Sequence, residues 1–223
     1  MSDFLYFIFV YPLESLLGYV LKILHSCVHH YGLAIIFLSV LVNLFLLPLF
    51  LKADKMSKDH AKIKAELDLK IKEFKRVFKG MELHAYTKTL FRQRHYHPIY
   101  ALKALVGLIL QVPFFIAVVF LLEFHSPELR QIKFLWIKDL SHPDSLLFGV
   151  HFLPFLMSFF TLINVWISSN DRSSRIQGIV ITLIFLILLY QMPSSLLLYW
   201  TTSMLFSMIK SFCMYRKKDN EIF

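Results

Sequence analysis

The side chains best placed to do chemistry in this chain are neutral hydrogen-bonding groups set inside apolar runs. Asn43 lies near the centre of LAIIFLSVLVNLFLLPLFL (33–51), with Ser39 one helical turn before it. Gln111 stands next to the Val112-Pro113 pair in the run 99–122. Ser158, Thr161 and Asn164 share the run 149–167, and Tyr199, Trp200, Thr201, Thr202 and Ser203 follow one another in 195–213. An amide or hydroxyl in hydrocarbon is costly unless it is paired, so each of these must face protein or a water-filled cavity. A single one is ordinarily a hydrogen bond within or between helices. Spread over four runs, they predict a shared polar cavity able to hydrogen-bond a polar guest, with Ser39, Asn43, Gln111, Asn164, Tyr199, Trp200 and Thr201 as its lining.

Covalent chemistry lacks its residues. No apolar run contains Asp or Glu, which removes the usual groups of a proton relay or a carboxylate metal site. No serine in a run is paired with a His or Lys as a nucleophile requires. His29-His30 and His95-x-His97 have no clustered Cys or carboxylate to complete a metal shell. No phosphate-cradling glycine loop is present. No catalytic residue, metal ligand or cofactor is therefore expected.

The elements that must position these groups are membrane helices. The chain is 57% apolar and only 17% charged, where a soluble domain carries about a quarter charged residues. Five runs, roughly 33–51, 99–122, 149–167, 176–191 and 195–213, are candidates to cross the roughly 30 Å hydrocarbon core. The fourth is short, about 26 Å of helix, and should thin the bilayer around it. Pro113 in the second run frees a carbonyl that a polar group or water must satisfy. The net charge of +9 is concentrated: Lys52–Lys103 holds 14 Lys/Arg against 6 Asp/Glu. Arg172 and Arg175 lie in the short loop 168–175, and Arg216, Lys217 and Lys218 lie in the tail 214–223, whereas 123–147 is close to neutral. The positive-inside rule then predicts the insert, the 168–175 loop and the C-terminus in the cytoplasm, with the N-terminus outside. Cys27 and Cys213 fall near opposite faces, so no disulfide is expected.

Two further segments have patterns of their own. In 1–30, Leu13, Leu16, Leu17, Val20, Leu21 and Leu24 repeat at helical spacing while Glu14, Ser15, Gly18, Lys22 and His25 fall elsewhere, which predicts an amphipathic helix in the outer interface rather than a cleaved signal, with a sixth span as the alternative. In the insert 53–97, Ile63, Leu67, Ile71, Phe74 and Phe78 form a narrow stripe over 55–79, Gly80 is the stop, and Leu83, Tyr86 and Leu90 continue on a second helix. These spacings predict an antiparallel cytoplasmic hairpin. Its cations, among them Lys62, Lys70, Lys72, Lys75 and Arg76, suit anionic headgroups or a docking role for a nascent chain or ribosome.

Several blocks occur in a recognisable order. YPLESLLGYVLKILH, VNLFLLPLFLKADKMSK, HPIYALKALVGLILQVPFF, ELRQIKFLWIKDLSHPD, FLPFLMSFF and MPSSLLLYWTTSM together resemble the YidC/Oxa/Alb family of membrane protein insertases, and the resemblance covers nearly the whole chain. It implies an all-α polytopic fold: five transmembrane helices around a polar groove, with a cytoplasmic helical hairpin (53–97), an N-terminal interfacial helix (1–30) and a short basic tail (214–223). It implies insertion of small membrane proteins without nucleotide hydrolysis, in a bacterial cytoplasmic (inner) membrane. The implied partners are newly made membrane proteins, membrane lipids, and the ribosome or Sec translocon; no nucleic acid is expected. The family's VRLxLLPL-like block places a groove arginine where this chain has Asn43 in VNLFLLPL. Asn keeps the hydrogen bonding and loses the charge; Lys103 and Lys52 are the candidates to supply a cation instead. Trp200 falls where the family has a groove aromatic. Three functions compete: an insertase or membrane chaperone, a non-inserting assembly partner of one membrane complex, and a small transporter or channel, the last weakened by the missing intramembrane carboxylate.

Overall fold

A computed structural model of the chain describes residues 6, 10–94, 106–124, 126–145, 149–169 and 172–220. The architecture is all-helical. In order, α1 is Tyr11–Val28, α2 Tyr31–Val77, α3 Gly80–Gln93, α4 Val106–Val119, α5 Phe152–Ser168, α6 Arg172–Leu189 and α7 Ser194–Asn220. A π-helical turn, Phe120–Phe124, extends α4, and a short 3-10 turn follows at Pro127–Leu129. Among the described residues, Tyr31–Met56 and Ser194–Met214 are long and apolar enough to cross a membrane, and Gln111–Phe124, Phe152–Ser168 and Ser174–Leu189 are shorter apolar helices. His95, His97 and Lys103 lie outside the described residues.

The chain divides into two units, residues 46–113 and the remainder. In the larger unit, α2 buries Ala34, Ile35, Leu38, Ser39, Val42 and Asn43, pairs that recur every four residues and so mark one helix face. The same core holds Ala117, Val118, Leu121 and Leu122 of α4 and its extension, and Leu196 to Trp200 of α7. α5 packs on both α6 and α7. Its approach to α6 is close because Gly178 has no side chain: a Cβ there would lie 2.7 Å from Val165.

Residues 126–145 form an irregular loop that supplies the helices with caps. The first amides of a helix have no partner within it. The Asp144 carboxylate accepts the Phe152 amide at 2.7 Å and the Leu153 amide at 3.1 Å, and so caps α5 from outside the helix. The carbonyls of His142 and Leu140 each accept an amide of α7, from Ser194 and Ser195 at 2.9 Å, and the Ser194 hydroxyl also donates to His142. Leu129, Phe134, Ile137 and Leu140 anchor the loop in the core. The Phe134 ring lies so near Gly32 that a Cβ there would sit 2.3 Å from it.

The segment expected to be helical over 55–79 is the continuation of α2, which runs unbroken for 47 residues from the apolar run into the charged one, through Pro48. Between Leu51 and Val77 there is no Gly or Pro, so nothing in the sequence stops the helix. The faces of α1 differ from the leucine pattern. Glu14 is only 6% exposed and shares the buried face with Leu17 and Leu21, while Leu16 is 58% exposed and stands with Tyr19 and Ile23 on the outer face. The reason is local: the Tyr6 hydroxyl donates to Glu14 at 2.7 Å, and Gly18 sits against Leu121.

In the smaller unit the stripe on α2 meets α3. Leu67 and Leu90 are buried, and Phe78 stacks on Tyr86 at 4.2 Å with Phe74 beside it at 5.9 Å. Lys79 is extended and Gly80 takes φ +58°, a left-handed conformation that glycine adopts without strain. Lys62, Lys70, Lys72, Lys75 and Arg76 are all exposed on α2.

Candidate functional site

The polar residues of α2 and α7 meet in pairs across the helix interface. The Ser39 hydroxyl donates to the backbone carbonyl of Tyr199 at 2.8 Å. One turn on, the Asn43 amide nitrogen donates to the Ser39 carbonyl at 2.8 Å and to the Ser203 hydroxyl at 3.0 Å. Ser203 in turn donates to the Asn43 amide oxygen at 3.2 Å. Asn43 is 4% exposed, so both ends of its amide are engaged by protein. Such a pair between two helices lowers the cost of holding an amide away from water.

A second set links α5 to α7. Asn164 donates to the Ser207 hydroxyl at 3.0 Å and accepts from Ser211 at 2.6 Å and Ser168 at 3.3 Å, and Ser168 also reaches Ser211 at 3.2 Å. Ser203, Ser207 and Ser211 stand at spacings of four on α7. Such a row drifts around the helix, which is how one row serves Asn43 of α2 and then Asn164 of α5.

The remaining predicted residues have other settings. Trp200 is buried with Phe115 edge-on at 4.2 Å and Phe185 at 5.4 Å, an aromatic cluster of three helices. The Tyr199 side chain is buried. The Thr201 hydroxyl is buried without a hydrogen-bond partner among the described residues, and so is the Ser195 hydroxyl at the start of α7. Ser158 and Thr161 bond carbonyls of their own helix, Pro154 and Met157. Gln111 belongs to the smaller unit and is half-buried there. The structure thus joins Ser39 with Asn43 and sets Asn164 in a separate cluster. Ser168, Ser203, Ser207 and Ser211, which complete both clusters, were not among the predicted lining; the four-residue stride of the α7 serines is the signal that points to them. Among the described residues no group of three His, Cys, Asp or Glu side chains could hold a metal ion.

Apolar helices joined through buried amides and hydroxyls are an arrangement that helical membrane proteins use. The model of the family described as 60Kd inner membrane protein matches residues 23–221. The chain belongs to this family, the YidC/Oxa family. Curated relatives named "Membrane protein insertase YidC" include one from Fusobacterium nucleatum subsp. nucleatum, 28% identical over 207 residues, with 92% of this chain and 96% of that protein covered. The Helicobacter pylori relative is 30% identical over 207 residues, covering 90% of this chain and 36% of that protein. The Endomicrobium trichonymphae relative is 29% identical over 208 residues, covering 89% and 38%. The chain therefore spans little more than a third of several relatives and nearly all of another. A crystal structure described as an active YidC insertase with its first transmembrane domain resolved shares the fold, with a TM-score of 0.66 at 22% identity over 92% of this chain and 46% of that one.

Proposed function

We propose that this protein is a membrane protein insertase or chaperone that passes polar segments of small membrane proteins into the bilayer without nucleotide hydrolysis. The observation that carries this reading is the family: its model matches residues 23–221, and the curated relatives are named membrane protein insertases. In the proposed mechanism five helices cross an inner membrane and enclose a groove lined by Ser39, Asn43, Gln111, Asn164, Tyr199, Trp200 and Thr201. A guest's polar segment exchanges water for hydrogen bonds in that groove, which lowers its desolvation cost. The short α6 thins the bilayer and shortens the path. The guest's apolar segment then partitions into lipid, and this drives the step. The N-terminus lies outside and the C-terminus in the cytoplasm. The basic arm formed by α2 and α3, with Lys62, Lys70, Lys72, Lys75 and Arg76, receives the nascent chain or the ribosome near anionic headgroups.

A second reading, a non-inserting assembly partner of one membrane complex, is favoured by the neutral Asn43 and by its engagement with Ser203. Reconstitution separates the two. The purified protein in liposomes is offered single-span clients with and without acidic translocated segments. Insertion above protein-free liposomes is expected for at least the neutral clients; background insertion for every client would leave the assembly role.

A further inference from the structure

A cavity of about 310 Å³ opens between α1, the start of α2 and the loop after α4. Its polar lining carries both signs of charge, Glu14, Glu128 and Lys22, together with the hydroxyl residues Ser15 and Ser126. Glu14 is buried, and the Tyr6 hydroxyl orients its carboxylate at 2.7 Å. That bond, with some burial, pushes the Tyr6 phenol up to about 12, so Tyr6 stays a donor at any physiological pH. Ser126 is only 7% exposed; its carbonyl accepts the Leu129 amide, and its side chain lines the cavity. Gly18 and Leu121 form an uncharged floor.

The apolar face beside this cavity points outward. Leu16, Tyr19 and Ile23 are exposed along α1, and Tyr19 also lines the cavity. A polar, two-signed pocket next to an apolar ridge matches one kind of membrane component, a zwitterionic headgroup carried on acyl chains.

We propose that this pocket binds the headgroup of an aminophospholipid: Glu14 and Glu128 take the primary ammonium, Lys22 and the serine hydroxyls take the phosphate, and the acyl chains lie along Leu16, Tyr19 and Ile23. A primary ammonium has three N–H donors to offer the two carboxylates, whereas a quaternary ammonium has none. The site therefore discriminates phosphatidylethanolamine from phosphatidylcholine, and from phosphatidylglycerol, which carries no cation. The proposal rests on the membrane placement given above and not on insertase activity.

The test is thermal unfolding of the full chain in neutral detergent micelles doped with dioleoyl phosphatidylethanolamine, phosphatidylcholine or phosphatidylglycerol. Phosphatidylethanolamine is expected to raise the melting temperature selectively. Glu128→Gln and Lys22→Gln, at exposed positions, are expected to weaken its apparent affinity about tenfold each and to leave the lipid-free melting temperature unchanged. Three outcomes would overturn the proposal: no phosphatidylethanolamine effect, equal effects of all three lipids, or selectivity that survives both substitutions. Soluble glycerophosphoethanolamine stabilising as strongly as the lipid would reassign the pocket to a soluble ligand. Insertion plays no part in this readout, so loss of lipid selectivity and loss of insertion are separate results.

Discussion

Asn43 and Ser203 bond each other in both directions, amide nitrogen to hydroxyl at 3.0 Å and hydroxyl to amide oxygen at 3.2 Å, across 160 residues of sequence. One side chain on α2 is thereby matched to one on α7, and neither is left to lipid. The pair is local enough to be measured.

A double-mutant cycle of Asn43→Ala and Ser203→Ala should give a favourable coupling of about 0.6 kcal/mol and no more than about 1.7 kcal/mol, the range seen for hydrogen bonds between membrane helices. Unfolding in mixed micelles supplies the four stabilities. Strictly additive losses would mean that the two groups do not interact.

If loss of charge at position 43 restricts the client range, Asn43→Arg should extend insertion to clients with acidic translocated segments. Ser203→Gly in the same chain makes room for the longer side chain and should strengthen the gain. The liposome assay checks this, and an unchanged client profile in both variants would remove charge at this position as the determinant.

Gly32 is required by the ring beside it. Gly32→Ala places a methyl 2.3 Å from Phe134, a clash that should cost about 1–3 kcal/mol. The same substitution made in a Phe134→Ala background should cost far less, because the obstructing ring is gone. Equal costs in the two backgrounds would move the strain elsewhere.

Asp139 supplies a pH dependence. Burial opposes its charge, but hydrogen bonds from the Ser141 amide and hydroxyl, the Gln131 amide and His142 outweigh this and hold its carboxyl below the usual 3.8. A carboxyl whose folded pKa is lowered contributes stability that is present above the unfolded value and lost as pH falls through the folded one. Melting temperatures should therefore drop on acidification below about pH 4, and Asp139→Asn should remove that part of the drop. An identical acid profile in the variant would exclude Asp139 as its source.

The basic arm can be tested by deletion. Removing residues 55–97 should lower insertion more than it lowers folded yield, whereas equal losses would make the arm structural only.

Apolar periodicity picked out part of the packed side of the arm: of the stripe, Leu67 and Leu90 are buried and Phe74 and Phe78 half-buried, while Ile63 and Tyr86 are exposed. Asn43 could be singled out because an amide in an apolar run must be paired, yet its partner could not, since Ser203 is one of several hydroxyls on α7. Which side of α1 packs inward was not legible, because leucines lie on both sides: Leu17 and Leu21 are buried together with Glu14, which the Tyr6 phenol hydrogen-bonds, while Leu16 is exposed. Asp144 was invisible as a cap, since its amides belong to residues eight and nine positions further on.

The start of α7 depends on carbonyls from a segment more than fifty residues earlier, Leu140 and His142. Chains are synthesised from the N-terminus. The acceptors for the Ser194 and Ser195 amides are therefore already made when α7 emerges, and the last helix arrives at a finished berth instead of having to assemble one.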